Sequence, residues 1–129
     1  MRMTDSNLFL DSGIWIGYLL GDLPESREII DSPENTLFTS IISVHEIMRK
    51  LERRGLAEKE AEEAVRFMEE NSVIVNISME AVKKSVGFCF EYGLHTIDSL
   101  IYSSAAGMNA VLVTADSHFR NVPRTTILR

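Results

Sequence analysis

The amino-acid sequence predicts an α/β fold, a three-layer α/β/α sandwich around a central parallel sheet of four to five strands. Short apolar runs end in polar residues and are apolar on both faces, as in parallel strands covered by helices on two sides. Stretches of helical length separate these runs, and this alternation is typical of α/β sandwiches. The predicted strands are Asn7–Asp11, Leu37–Ser40, Val73–Asn76, Ala110–Thr114 and Thr126–Leu128.

The helices are predicted from apolar periodicity together with start and stop residues. Ser78 and Thr96 stand before helical stretches as N-caps, and Gly21, Gly55 and Gly93 follow others as stops. The predicted helices are Ser12–Gly21, Glu25–Ser32, Ile41–Arg54, Ala57–Asn71, Met79–Tyr92 and Ile97–Met108. Because the 129 residues contain no repeat and no Pro/Gly-rich linker, residues 1–129 are expected to form a single domain.

Composition narrows the class of protein. Cys89 is the only cysteine, so an intrachain disulfide and a cysteine-based zinc site are both excluded. The net charge of −6 argues against a protein that grips nucleic acid over a broad surface. The N-terminal segment meets a charge too early for a signal peptide, and the longest apolar stretch, Ile14–Leu20, is too short to span a bilayer. We therefore expect a cytoplasmic protein with no membrane segment.

Four acidic residues stand where the predicted elements begin or end. Asp11 closes the first strand and Asp116 follows the Ala110–Thr114 strand, so both belong at the carboxyl edge of the sheet if these strands are neighbours. Asp98 is in the first turn of the helix that leads into the same strand, and Glu46 lies near the start of the helix that leaves the Leu37–Ser40 strand. The sequence therefore predicts that four carboxylates from four segments converge on one rim.

Each acid also has a purely structural explanation. Asp11 or Ser12 could cap the next helix, and Asp116 could cap a short turn. Asp98 could complement its helix dipole, and Glu46 could be a surface residue paired with Arg49 or Lys50 at helical spacing. Capping, however, gives no reason for all four to meet at one edge. Like charges about 5 Å apart repel by roughly 3 kcal/mol at an effective dielectric near 20. Such a cluster must protonate, disperse or bind a cation, and oxygen ligands alone favour Mg²⁺ or Mn²⁺.

The helix that contains Glu46 has a predicted core face and a polar side. The predicted core face consists of Ile41, Val44, Ile47, Met48 and Leu51. Glu46 falls off this face, and periodicity alone leaves open whether it faces a groove beside the sheet or open solvent. The same helix and the segment after it hold the basic cluster of the sequence, Arg49, Lys50, Arg53, Arg54 and Lys59. This cluster is either a contact for RNA phosphates, through Arg49, Lys50 and Arg53, or a solvated helix end neutralised by nearby glutamates.

Four segments occur in a fixed order along nearly the whole chain: FLDSGIWIGYLLG, SVHEIMRKL, HTIDSLIYSSAA and LVTADSHFRNVP. In this order and spacing they resemble the PIN-domain nucleases, especially the VapC-type toxins of type II toxin–antitoxin systems. The first resembles the opening strand with its Asp-Ser/Thr, and the second the central helix with its embedded glutamate. The third is similar to the helix in which an aspartate precedes aliphatic and small residues, and the last to the closing strand with Thr-x-Asp-x-x-Phe.

The resemblance implies a metal-dependent endoribonuclease that hydrolyses RNA phosphodiester bonds with Mg²⁺ or Mn²⁺ as cofactor. The implied catalytic and metal-binding residues are Asp11, Glu46, Asp98 and Asp116, of which Asp11 and Asp98 would be the principal ligands. Ser12 and Thr114 match positions whose hydroxyls orient the pocket. Ser117 and His118 depart mildly from the family pattern, because many relatives have a further charged residue there.

The resemblance also implies a homodimer and a cognate antitoxin protein. The segment containing Trp15, Ile16, Leu19 and Leu20 could form an exposed apolar patch for such contacts, although core packing is the favoured interpretation. Two alternatives to a toxin remain open: a catalytically silent PIN-like module that binds RNA or protein, and an RNA-processing nuclease. Other hydrolase classes fit poorly, since the sequence has neither a P-loop nor a Gly-x-Ser-x-Gly elbow.

Overall fold

The structure, a computed structural model that describes residues 6–129, contains five strands and six α-helices. The strands are β1 (Asn7–Leu10), β2 (Thr36–Ser40), β3 (Val73–Val75), β4 (Val111–Thr114) and β5 (Thr125–Ile127). The helices are α1 (Ser12–Leu20), α2 (Glu25–Ile30), α3 (Ile41–Arg53), α4 (Glu58–Asn71), α5 (Met79–Tyr92) and α6 (Thr96–Gly107), with a short 3₁₀ turn at Ser117–Phe119. All strands pair in parallel in the order β3-β2-β1-β4-β5, which confirms the predicted α/β/α sandwich.

The sheet is covered on both faces, as its doubly apolar strands require. Leu8 and Leu10 of β1 point toward the layer formed by α1 to α4, where Trp15 is fully buried. Phe9, between them in the chain, points the opposite way and packs with residues of α5 and α6, including Ile101. This division follows from the alternation of side chains along a strand. Trp15 and Ile16 therefore belong to the core and do not form an exposed patch.

The order in which strands are added to the sheet changes direction at its centre. β1 pairs with β2 on one side and with β4 on the other. The chain adds β2 and β3 on one side of β1 and then crosses back to add β4 and β5 on the other side. Leu10 and Val113 stand opposite each other, and the backbone N–H of Asp11 donates to the carbonyl of Val113 at 3.0 Å. The carboxyl ends of β1 and β4 are therefore adjacent, at the kind of switch point where open α/β sheets bind ligands.

Element boundaries differ from the predicted ones by one or two residues, and the differences have local causes. Gly21 and Gly93 end α1 and α5 in the left-handed conformation, with φ of 75° and 67°, as expected of glycine stops. Thr96 is not the N-cap of α6, because the helix begins at Thr96 itself and His95 holds the cap position without a side-chain hydrogen bond. Asp116 caps the short 3₁₀ turn after β4 by accepting from the backbone N–H of His118, as the structural explanation of this residue predicted.

Helix α3 is rotated relative to its predicted orientation. Ile41 and Met48, both placed on the core face by sequence, are 44% and 37% exposed. Ile47 and Leu51 of the predicted core face are buried, and Ser43 is buried with them in place of Ile41 and Met48. Successive helix residues are about 100° apart around the axis, so this exchange turns the helix toward the side that contains Glu46 and Lys50. The rotation brings that side of the helix next to the sheet edge.

Exposed large apolar side chains are concentrated on α5. They lie at helical spacing on one face and consist of Met79, Val82, Val86 and Phe90. Phe90 is 86% exposed, so this face has no apolar cover within residues 6–129. No helix in that range is both long and apolar enough to cross a membrane. The N-terminal segment considered above for targeting begins with residues 1–5, which lie outside the described range.

Two glycines in helices provide a test of the packing. A Cβ on Gly17 of α1 would lie 2.5 Å from the Cβ of Leu23, whereas a Cβ on Gly87 of α5 would meet nothing within 4 Å. We expect Gly17→Ala to lower the free energy of unfolding by about 1–3 kcal/mol through overpacking. Gly87→Ala should raise it by about 0.5–1 kcal/mol, because alanine is the better helix former. Urea unfolding of both variants measures the difference, and equal stabilities would contradict the close approach at Gly17.

Candidate functional site

Asp11 is fixed at the junction between β1 and α1 by two hydrogen bonds to its carboxylate. Oδ1 accepts from the backbone N–H of Ser12 at 2.8 Å, and Oδ2 accepts from the hydroxyl of Thr114 at 2.7 Å. Thr114 ends β4 and is fully buried, and its Oγ1 also accepts from the backbone N–H of Asp116 at 3.1 Å. Burial raises the pKa of Asp11 above its usual value, although these hydrogen bonds and the charge of Lys50 oppose the shift.

Glu46 reaches the same edge from α3. The helix starts directly after β2, where the Ser40 hydroxyl caps it by accepting from the backbone N–H of Ile42 at 3.1 Å. Oε1 of Glu46 is buried and has no hydrogen-bond partner among the described residues. Burial and the nearby charges of Asp11 and Asp98 raise the pKa of Glu46, with Lys50 acting in the opposite direction. An orphaned carboxylate oxygen of this kind is costly unless a cation satisfies it.

Asp98 lies in the first turn of α6, half-buried, on the other side of the pocket. Its carboxylate accepts no hydrogen bond from a described residue, so it does not cap the helix. Burial is the largest cause of its raised pKa, followed by repulsion from Asp116 and Asp11, and His118 and His95 partly offset the shift. Its place in the first turn agrees with the helix-dipole explanation, but the dipole gives no reason for the repulsion from Asp116 and Asp11 that Asp98 meets there.

Asp116 precedes the 3₁₀ turn after β4 and lies beside the imidazole of His118. Its Oδ1 accepts from the backbone N–H of His118 at 2.9 Å and lies 3.1 Å from Nδ1 of the same residue. One ligand atom each from Asp98, Asp116 and His118 lie within 4.8 Å of one another. His95 is close as well, with its ring centroid 6.0 Å from that of His118. These histidines have no ligand spacing along the chain, because only the tertiary fold joins the start of α6 to the turn after β4.

Lys50 enters the acid pocket from α3. Its Nζ donates to the hydroxyl of the buried Ser12 at 3.0 Å, and its charge favours the ionised forms of Asp11 and Glu46. Lys50 lies one turn after Glu46, so both side chains leave the helix on the same side. Lys50 is therefore a counter-ion of the acids, and it also lines a small cavity of about 120 Å³ together with Glu46, Arg49 and Arg53.

The residues of the pocket fit a divalent cation. Asp11 interacts with Asp116, Glu46 with Asp11 and Asp98, and Asp98 with Asp116, so the four carboxylates form one electrostatic cluster. Their oxygens are hard ligands, and Oε1 of Glu46 lacks any other partner. A single ammonium group, that of Lys50, balances only part of this charge. These oxygen donors suit Mg²⁺ or Mn²⁺. Among the described residues the ligand atoms that lie within 4.8 Å of one another are those of Asp98, Asp116 and His118, and the charges of Asp11 and Glu46 act on this group without belonging to it.

The chain matches the model of a known protein family. The family model for the PIN domain matches residues 8–125, almost the whole chain, and this range contains the four acids. The chain belongs to the PIN domain family. No curated protein matches this PIN domain at a significant level.

Solved structures share the fold of this PIN domain. One, titled as a toxin–antitoxin complex from Klebsiella pneumoniae, is similar with a TM-score of 0.73 and 24% identity, over 92% of this chain and 95% of that chain. Another, a DNA-bound VapBC from Salmonella typhimurium, has a TM-score of 0.73 and 18% identity, over 94% and 96%. A sarcin–ricin-loop-cleaving VapC toxin of Mycobacterium tuberculosis has a TM-score of 0.63 and 12% identity, over 81% and 85%.

The raised pKa values make the metal-free protein sensitive to pH in a defined direction. Because the folded pKa values of Asp11, Glu46 and Asp98 exceed their usual values, the native state holds more protons than the unfolded state just above pH 4. The stability contributed by these groups is therefore greatest at or below pH 4. It is lost as the pH rises through the folded pKa values.

We expect Asp98→Asn in EDTA at pH 7 to be as stable as the wild type or more stable, by about 1 kcal/mol or less because solvent screens this half-exposed group. The advantage should shrink as the pH falls, because the raised pKa of the wild-type Asp98 carboxyl lets it take up a proton and lose its charge. Thermal melts at several pH values measure it, with the exposed Glu63→Gln as control for net charge. A loss above about 2 kcal/mol would show that Asp98 supports the fold instead.

Proposed function

We propose that this protein is a metal-dependent endoribonuclease that hydrolyses RNA phosphodiester bonds, and that it is the VapC-type toxin of a toxin–antitoxin pair. The observation that carries the proposal is the orphaned, buried Oε1 of Glu46 within a cluster of four interacting carboxylates. Membership of the PIN domain family supports a nuclease, and the VapBC complexes among the similar structures support the toxin assignment.

The residues of the pocket have distinct roles in this proposal. Asp11, Glu46, Asp98 and Asp116 would hold Mg²⁺ or Mn²⁺. When bound, the divalent ion would lower the pKa of water and neutralise charge that develops on the phosphate. Thr114 fixes the direction of the Asp11 carboxylate, and Ser12 links that carboxylate to Lys50. Lys50 limits the repulsion among the acids before the cation binds, which keeps the pocket assembled.

The proposed partners are a cognate antitoxin and a second copy of the chain. Similar structures contain toxin–antitoxin complexes, which supports the antitoxin. The apolar face of α5 defined above, with Phe90 at its end, supports a homodimer because a face of this kind needs a cover. The cytoplasmic location expected from the sequence stays a prediction. An RNA-processing nuclease is the main alternative role, and a neighbouring antitoxin gene would distinguish the two.

The metal requirement is the direct test of the proposed activity. Purified protein incubated with total RNA should cut it in Mg²⁺ or Mn²⁺, lose this activity in EDTA, and recover it when Mn²⁺ is restored. Mn²⁺ should also raise the Tm, because the ion binds the native state preferentially. Cleavage that persists in excess EDTA would rule out the metal mechanism. A rise in Tm without any cleavage would indicate the catalytically silent binding module.

Two glutamates on α3 separate the pocket from the helix surface. Glu46→Gln keeps the shape of the side chain but removes a charge from the site, and we expect it to lower the cleavage rate by about a hundredfold or more. Glu52→Gln alters an exposed residue of the same helix and should change the rate by less than about threefold. Matching melting temperatures ensure that folded enzymes are compared. Equal rates for the two variants would place Glu46 outside the catalytic site.

A further inference from the structure

A second basic patch lies beside the acid pocket, on the side opposite α3. A cavity of about 370 Å³ next to β5 is lined by two arginines, Arg120 and Arg129, together with Ser117 and apolar residues. The two arginines come from separate segments, the end of the 3₁₀ turn and the residue that follows Leu128. The sequence pattern does not reveal this patch, because nine positions separate the two arginines along the chain and only the fold brings them together.

Both guanidinium groups are available for a ligand. Arg120 and Arg129 are exposed, and neither forms an ion pair with any residue from 6 to 129. No acidic side chain lines the cavity. In a chain with 19 acidic and 13 basic residues, two unpaired arginines that share an acid-free cavity are a local reversal of the overall charge. Guanidinium groups bind phosphate oxygens through paired hydrogen bonds, so the patch suits a phosphate group.

The arginine patch is next to the acid cluster because residues that line its cavity are neighbours of Asp116 in the sequence. Ala115 and Ser117, which line the cavity, flank Asp116 on either side. The strand order then places basic residues on both sides of the acids: α3 with Arg49 and Arg53 follows β2, whereas Arg129 follows β5. Between β2 and β5 lie β1 and β4, the strands that lead to Asp11 and Asp116. β2 and β5 are three strand spacings apart, about 14 Å, and this spacing separates the two sides that hold the basic residues.

We propose that Arg120 and Arg129 form a phosphate-binding subsite for the RNA strand, so that the substrate crosses the carboxyl edge of the sheet from the α3 side to the β5 side. This inference rests on the proposed ribonuclease function and adds the path of the substrate. The net charge of −6 repels RNA in general, so the strand is held where unpaired cations flank the acids. The apolar floor of Leu23, Ile127 and Leu128 provides a surface for the sugars and bases.

The test measures binding of a dye-labelled, single-stranded RNA of mixed sequence in EDTA, where cleavage does not intervene. We expect the double variant Arg120→Gln/Arg129→Gln to bind about tenfold more weakly. The slope of log affinity against log salt should also fall by about 0.7, since the subsite holds one phosphate and each phosphate contact on a single strand contributes about 0.7. The double variant Arg120→Lys/Arg129→Lys keeps both charges and should retain the wild-type slope. Arg27→Gln/Arg66→Gln, which removes two exposed arginines from α2 and α4, is the matched control.

Cleavage kinetics in Mn²⁺ provide the second measurement. The glutamine double variant should raise KM by about tenfold and leave kcat within about threefold, because the patch holds the strand without contacting the reacting phosphate. Wild-type affinity and salt slope in this variant, with cleavage by the unaltered protein intact, would overturn the subsite alone. Failure of the unaltered protein to bind and cleave RNA would overturn the proposed function, and the subsite with it.

Discussion

The hydroxyl of Thr114 holds together the two strands on which the site depends. It donates to Oδ2 of Asp11 at 2.7 Å and accepts from the backbone N–H of Asp116 at 3.1 Å, and it is completely buried. One small polar group therefore links the end of β1, the end of β4 and the turn that follows. Because a buried hydroxyl without these partners would be costly, the two strand ends are constrained to a single relative position. The other acids are brought to this fixed pair by the helices that start or end nearby.

Concentrating negative charge at a partly buried edge opposes folding, and the structure limits that cost in several ways. Each oxygen of Asp11 accepts a hydrogen bond, Lys50 supplies a positive charge through Ser12, and His118 lies against Asp116. Glu46 keeps an unpartnered oxygen, and Asp98 accepts no hydrogen bond, so the compensation is incomplete. The proposed cation would relieve this remaining imbalance, because a divalent ion would satisfy oxygens that the caps at Asp11 and Asp116 leave without a partner.

The orientation of α3 links the core to the chemistry. The helix buries Ser43 and exposes Ile41 and Met48, so it loses the hydrophobic stabilisation that burying these two side chains would provide. The same rotation of the helix brings Glu46 and Lys50 to the sheet edge. The helix starts directly after β2 and is capped by Ser40, so its start is fixed at the sheet edge, but its rotation about its own axis is not. Periodicity therefore identified an amphipathic helix correctly but misjudged which residues face inward.

The sequence by itself determined the fold class, because doubly apolar strands that alternate with helices can bury both faces only in a layered α/β sheet. It also placed Asp11, Asp98 and Asp116 at element boundaries, since boundaries depend on local residues such as the glycine stops. Tertiary structure alone decided which strands are neighbours, how α3 is rotated, and which distant cations share a space. The approach of His95 to His118 and the pairing of Arg120 with Arg129 belong to this second group. These features depend on how layers pack against one another, and local periodicity contains no information about the contacts between elements that are remote in the chain.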